Sequence, residues 1–318
     1  MVSEFDPSQY HVVVIAGGRS SERNISLASG GNCCEALEAA GFTVTMKDHG
    51  DKENLKDLID GGYDVAFLCT HGKYGEDGSL QGFLELIDLP YTGSGIWASS
   101  TAMNKAKAKD VYHMAGIKTP MAVHLRRGDE IDVASIVAVT GEHCVVKAAS
   151  EGSTLGLYIC TGADEVGPSI NQAFEHDDYV VVESFVEGDE FTVGVIGGQD
   201  CTALPVIQIV PASGFYDFEA KYAPGGSKHL CPAPVSEELS KKMQGIAVNA
   251  HKALDCHGVS RTDIIVDEQG ECWALETNTL PGMTNTSLVP DAAAVMGISF
   301  QQLCTDLVRS ALERAGRL

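Results

Sequence analysis

The stretch Val145–Leu157, VVKAASEGSTLGL, places Lys147 at the end of an apolar run and follows it with alanine, serine, threonine and glycine. A loop without bulk lets backbone N–H groups approach phosphate oxygens, and a lysine beside it supplies point charge. Lys147 is thus a candidate polyphosphate cation; for this motif alone, a solvent-facing lysine before a flexible turn is the alternative. The stretch Ser260–Asn278 reads as two strands joined at Asp267 to Gly270. If residues 267 and 270 face one another, Asp263 lies opposite Ala274 and Arg261 opposite Glu276. Period-two alternation then gathers Arg261, Asp263, Glu276 and Asn278 on one face, with Ile264, Val266, Trp273 and Leu275 on the other. Three oxygen donors without histidine or cysteine suit a hard cation completed by water and phosphate, which is magnesium chemistry rather than zinc. A solvated acidic hairpin is the alternative, and a one-residue slip in register breaks the convergence.

Two loops could complete such a site. In NTLPGMTNTSLVP, Asn278–Pro290, the Gly282 N–H can face a developing oxyanion beside Arg261, while Ser287 and the Leu288 N–H can hold a carboxylate. An ordinary turn and helix cap is the other reading. The segment GFYDFEAKYAPGG, residues 214–226, sits in a long connection and carries Lys221 and Tyr222. Such connections are lids or binding loops, or else disordered excursions, and the aromatic content here argues against pure solvation.

Composition limits the partners. The formal charge is −22, from 22 Lys+Arg against 44 Asp+Glu. That excess repels phosphate backbones and anionic lipid, so neither nucleic acid nor membrane is expected as a partner. A small anion would need its own local cations. Ten cysteines without a C-x-x-C pair suit a reducing compartment, and the polar, acidic leader MVSEFDPSQY has no signal-peptide pattern. A cytoplasmic location is expected.

The 318 residues, 44% of them hydrophobic, are enough for two or three packed lobes. The first hundred alternate apolar runs (HVVVIAGG, FTVTMKD, DVAFLCTHG) with helical patterns, the signature of an open α/β sheet. A boundary is expected near Ser94. A helix stopped by Gly116 and Pro120 then leads into strands around CVVKAAS, GLYIC and YVVVESFVEG, a small and mostly sheet lobe. From about Val186 come further strands, a helix over roughly 237–254, the hairpin and a last helix. Ser299 and Gln302 suggest a capping box for that helix, with Phe300, Leu303, Leu307, Val308 and Leu312 on one face.

The order GGRSSERNISL, HGKYGEDGSLQG, PYTGSG, VVKAASEGSTLG, VVVESFVEGDEFTVGV, GFYDFEAKY, RTDII and LETNTLPGMTNTSLVP resembles the D-alanine:D-alanine ligases of the ATP-grasp superfamily over nearly the whole chain. The resemblance implies a three-lobed ATP-grasp α/β fold: an N-terminal open α/β sheet lobe (1–94), a small central lobe (95–185) and a C-terminal α+β lobe (186–318). It implies ATP as co-substrate and two magnesium ions, and an acyl phosphate made from the first D-alanine and attacked by the amine of the second. Lys105 and Lys147 resemble the lysines on the ATP phosphates, Glu183 and Glu190 the groups at the adenine and ribose ends, and Asp263, Glu276 and Asn278 the metal ligands. Glu22 resembles the carboxylate that receives the first ammonium group, supported by Ser153 and Tyr222. His71 is placed in the same pocket, with a purely structural histidine as the other reading. Lys221 and Tyr222 would ride on the lid.

The expected partners are therefore D-alanine and ATP, and a homodimer is an admissible assembly. The chain departs from the family's usual pattern at Ala148, Ser150 and Asn104, which bears on loop stiffness and on charge near phosphate. A related ligase with another D-amino or D-hydroxy acid as second substrate is the alternative; a non-catalytic nucleotide-binding protein is a more distant one.

Overall fold

The computed structural model describes residues 5–152, 155–211, 226–284 and 286–318. Ser153, Lys221 and Tyr222 lie outside them. Three sheets organise the described residues. The first is parallel, in the order β2 (Thr43–Asp48), β1 (His11–Ala16), β3 (Val65–Leu68). Five of the six β1 residues are buried, because alternate side chains serve two different layers. Val12, Val14 and Ala16 pack with helix Arg23–Ala39 and with Leu303, Leu307 and Val308 of the last helix, Phe300–Arg314. Val13 and Ile15 pack with Leu58, Leu80, Leu84 and Leu280 on the other face. A strand covered on both faces reads as a continuous apolar run, as HVVVIA does.

The second sheet is antiparallel, in the order β4 (Ala122–Arg126), β7 (Tyr179–Ser184), β5 (Cys144–Ala148), β6 (Leu157–Cys160). Helices Val133–Thr140 and Ala163–Ala173 cover one face through Ile136, Val166 and Ile170, so this lobe is not mostly sheet as the sequence suggested. The other face carries Val145, Lys147, Val181 and Glu183, which share it because Val145 pairs with Glu183 and Lys147 with Val181.

The third sheet has β8 (Asp189–Gly197) at its centre. On one side β8 pairs with β10 (Ile207–Pro211), which pairs with β11 (Ser227–Leu230), and the short β9 (Thr202–Ala203) pairs off the main path. On the other side it pairs with β12 (Gly258–Val266), which forms the hairpin with β13 (Cys272–Asn278). Helix Glu237–Ala253 covers one face of this sheet through Met243 and Ala247, packed on Phe191, Val193, Ile264 and Val266. The opposite face packs against helices Leu288–Val295 and Phe300–Arg314 through Val259, Ile207 and Ile209, and the rest of it is left toward the second sheet.

One local expectation changes. Ser299 does cap the last helix, accepting the Gln302 N–H at 3.1 Å, but the Gln302 amide turns to Asp306 at 2.8 Å. Only half of a capping box forms. Asn104 caps helix Lys105–Met114, accepting the Lys107 N–H at 3.2 Å. Among the described residues no helix is long and apolar enough to cross a membrane, and all ten cysteines are free.

The last helix joins the first sheet to the third, because its buried stripe meets Val12 and Val14 as well as Val259 and Val289. Leu307→Ala should therefore destabilise the fold by about 2–5 kcal/mol, the range for truncating a buried leucine. Equilibrium urea unfolding checks this; a loss below about 1 kcal/mol would contradict a shared core.

Candidate functional site

The uncovered faces of the second and third sheets enclose a cavity of about 650 Å³. Val145, Lys147 and Glu183 line it from one sheet, and Glu190, Asp263, Ile265 and Glu276 from the other. A smaller cavity, about 70 Å³, adjoins it and is lined by Glu22, His71, Glu76, Arg261 and Asn278 among others. Lys105, Glu151, Gly152 and Glu276 line both. The N-terminal helix, the loop after β5 and the β12–β13 hairpin thus meet at one place.

The hairpin brings its four polar residues together by a different register from the expected one. The turn closes one residue later, with Asp267 N–H donating to the Glu271 carbonyl, and a bulge between the Asp263 and Ile264 pairings adds a second shift. Arg261 therefore faces Asn278, and Asp263 faces Glu276. Each single shift would invert the faces, but two restore the parity, so the four still share a side. The inversion persists between the turn and the bulge. Trp273 pairs with Ile265 rather than joining the core face, and Leu275 lines the larger cavity beside Glu276. Ala274 and Cys272 fill the core positions instead.

Asp263 is held on three sides. Arg261 donates to both of its oxygens at 3.0 Å, the Thr192 hydroxyl donates at 2.6 Å, and the Asn278 amide lies 3.5 Å away. Behind the hairpin, Tyr112, Thr277 and Thr262 form a buried hydroxyl chain with contacts of 2.7 and 2.9 Å. Lys105 links the parts: its N–H donates to the Ala149 carbonyl, its Nζ to the Glu151 carbonyl at 2.8 Å, and Nζ lies 3.4 Å from Glu276 Oε2.

Glu183 is only 2% exposed and sits between two ammonium groups, Lys147 on one oxygen and Lys109 on the other at 2.7 Å. Burial alone would raise its pKa; Lys147 and Lys109 outweigh burial and pull it to about 2. Burial likewise lowers Lys147, but Glu183, with Glu276 and Glu190 further off, sets that ammonium above its usual value.

In the smaller cavity, Glu22 precedes helix Arg23–Ala39 without capping it, and its Oε2 would lie 3.1 Å from a methyl group placed on Gly152. His71 is buried, and burial lowers its pKa. Among the described residues its Nε2 meets no hydrogen-bond partner. Gly282, Ser287 and Leu288 are outside both linings. Ser287 Oγ packs so near Gly282 that a methyl group there would come within 2.9 Å, and it accepts the Thr284 N–H at 2.8 Å. Leu288 begins helix Leu288–Val295, so its N–H is not used by that helix.

Glu76 was missed by the sequence reading. It accepts the Gly72 N–H at 2.7 Å, and burial, then the Glu22 charge, push its pKa up to about 8. The available signal was an acid inside HGKYGEDG, where Gly72, Tyr74 and Gly78 all have positive φ and fold the loop onto itself.

With this geometry established, the comparisons decide the family. Residues 111–309 match the model for the D-ala D-ala ligase C-terminus, and residues 47–94 match the N-terminus model. The chain belongs to the D-alanine–D-alanine ligase family. It is 44% identical to the D-alanine–D-alanine ligase of Syntrophotalea carbinolica, over 95% of this chain and 96% of that one. The Geobacter sulfurreducens ligase is 43% identical, over 94% and 93%. Among solved structures, the Bacillus anthracis D-alanine–D-alanine ligase complexed with ATP superposes with a TM-score of 0.84 at 30% identity, covering 96% of this chain and 99% of that one. VanG D-Ala:D-Ser ligase from Enterococcus faecalis gives 0.83 at 30% identity, covering 95% and 99%. The fold is the α/β ATP-grasp architecture of these ligases.

The lowered Glu183 pKa makes stability depend on pH. A depressed carboxylate contributes fully above its unfolded value of 4.5, and its contribution falls away as pH drops toward about 2. Urea midpoints measured from pH 5 to 3.5 should decline for the parent, and part of that decline should vanish in Glu183→Gln. Equal slopes in the two proteins would show that Glu183 is not held by the two lysines.

Proposed function

We propose that the chain joins two D-alanine molecules into D-alanyl-D-alanine, consuming ATP and releasing ADP and phosphate, as a step toward peptidoglycan precursors in the cytoplasm. The observation that carries this reading is the continuity of the two cavities through Lys105 and Glu276. A nucleotide in the larger cavity would then present its terminal phosphate to a small substrate in the other. The division 1–94, 95–185 and 186–318 is proposed with it, each lobe built on one of the three sheets.

In this reading Glu183 and Glu190 lie at the adenine and ribose ends, and Lys147 and Lys105 neutralise the phosphate tail. Glu22 receives the ammonium group of the first D-alanine, with His71 in the same pocket and Ser153 and Tyr222 as support. Its carboxylate is thereby directed at the γ-phosphate, and alignment rather than covalent help does most of the work. Ser287 and the Leu288 N–H hold the carboxylate of the second D-alanine, whose amine attacks the acyl phosphate. Arg261 and the Gly282 N–H stabilise the tetrahedral oxyanion before phosphate leaves. Lys221 and Tyr222 close over the site and exclude water, which would otherwise hydrolyse the acyl phosphate.

Magnesium fits the donors present. Asp263 and Glu276 face one another in register, and Asn278, whose amide nitrogen lies 3.5 Å from Asp263, brings a carbonyl oxygen to a donor set with no thiolate or imidazole. When bound, the two ions would supply positive charge to the phosphate oxygens. Arg261, held on Asp263, keeps those ligands oriented.

The test is mass-spectrometric identification of products from ATP, magnesium and a panel of D-amino and D-hydroxy acids. D-alanyl-D-alanine should dominate; a mixed product formed in preference would move this chain toward ligases such as the D-Ala:D-Ser enzyme, and no ATP-dependent product would refute the proposal. Arg261→Ala should lower kcat about 10²–10³-fold, the range for removing an oxyanion donor, while calorimetry still detects ATP binding. Unaltered turnover would remove Arg261 from the chemistry.

A further inference from the structure

The helix Lys105–Met114 presents a second lysine inward. Lys109 is 1% exposed, and its ammonium group donates to the Thr119 hydroxyl at 2.8 Å and the Pro120 carbonyl at 3.1 Å besides meeting Glu183 at 2.7 Å. Such burial is costly for a lysine, and a hydrophobic residue of similar length would fill the same space without that cost. The Glu183 carboxylate is shared, one oxygen toward Lys109 and the other toward Lys147. The charge of the group is the point. One carboxylate between two ammonium groups leaves a net +1, whereas Lys147 and Glu183 alone would make a neutral pair.

We propose that Lys109 is a positioning residue for nucleotide binding: by occupying half of Glu183, it leaves Lys147 with uncompensated positive charge for the polyphosphate, which Lys109 itself does not touch. This rests on the reading of the larger cavity as the ATP site. Lys147 lines that cavity and Lys109 does not, so Lys109 acts through Glu183. Burial lowers the Lys109 pKa, and the adjacent Glu183 opposes the shift. In a chain of formal charge −22, a buried net +1 also counters the repulsion that an anionic nucleotide meets elsewhere.

The experiment is calorimetric titration of ATP and magnesium into the full chain as parent, Lys109→Met, Glu183→Gln and the double variant, each first checked for a cooperative thermal transition. Lys109→Met should weaken ATP binding at least about tenfold, as expected for one charge lost within roughly 12 Å of a polyphosphate at an effective dielectric of about 20. The KM for D-alanine should stay within about twofold, since the smaller cavity is not lined by this group. The double variant again carries +1 and should bind ATP at least about threefold more tightly than Lys109→Met. A purely packing role predicts no such recovery. An unchanged ATP affinity in Lys109→Met, or a double variant no better than the single, would overturn the proposal. If Lys109→Met does not fold, the same substitution compared within the Glu183→Gln background decides: an ATP affinity unchanged within about twofold supports action through Glu183, and a larger loss overturns it. A parent that binds no ATP would instead overturn the reading of the cavity.

Discussion

The contact between Lys105 and Glu276, 3.4 Å across the mouth between two cavities, is the constraint on which the site depends. Lys105 starts a helix, so its backbone N–H is free of that helix and is taken by the Ala149 carbonyl in the loop after β5. Its side chain reaches the Glu151 carbonyl and the hairpin carboxylate. One residue therefore fixes the distance between the second sheet's loop and the third sheet's acidic face. The ion pair is 16% and 27% exposed at its two side chains, so its net stabilisation is modest, but its geometry decides whether the cavities join.

The cleft is a balance of opposed charges. The third sheet offers Glu190, Asp263 and Glu276, which would repel a nucleotide, and the second sheet offers Lys147 with its buried neighbours. Arg261 offsets Asp263 through two hydrogen bonds, and Lys105 partly offsets Glu276. What remains is an acidic face suited to divalent cations opposite a cationic face suited to phosphate. An acidic chain can serve an anionic substrate because the charges are sorted over a few ångströms rather than averaged over the surface.

Much of this was legible in the sequence, for identifiable reasons. Strand alternation located the hairpin face even though the turn and the bulge each moved the register, because two shifts preserve parity. Trp273 and Leu275 were misplaced because they lie between the two shifts. The central helices were missed for local reasons: VASIVAVT is apolar all round and shows no face, while Ala163–Ala173 carries Gly167 and Pro168, which read as breakers. Lys109 sits in the run KAKAK, which resembles a solvated helix surface; only docking against β7, 74 positions away in the chain, buries it beside Glu183. Contacts of that range leave no periodic trace.

The smaller cavity gives the same physics at shorter range. Glu76, pushed up to about 8, is largely protonated at neutral pH, so it adds little negative charge beside Glu22. The Glu22 carboxylate and the Arg261 guanidinium line the same small space. A cavity with a carboxylate and a guanidinium, and a second acid held neutral between them in charge, suits a zwitterion better than a free acid or an amine. Were Glu76 ionised as well, the cavity would favour a cation and oppose the approach of a substrate carboxylate to phosphate. The loop that holds Glu76 against the Gly72 N–H thus limits the negative charge beside Glu22.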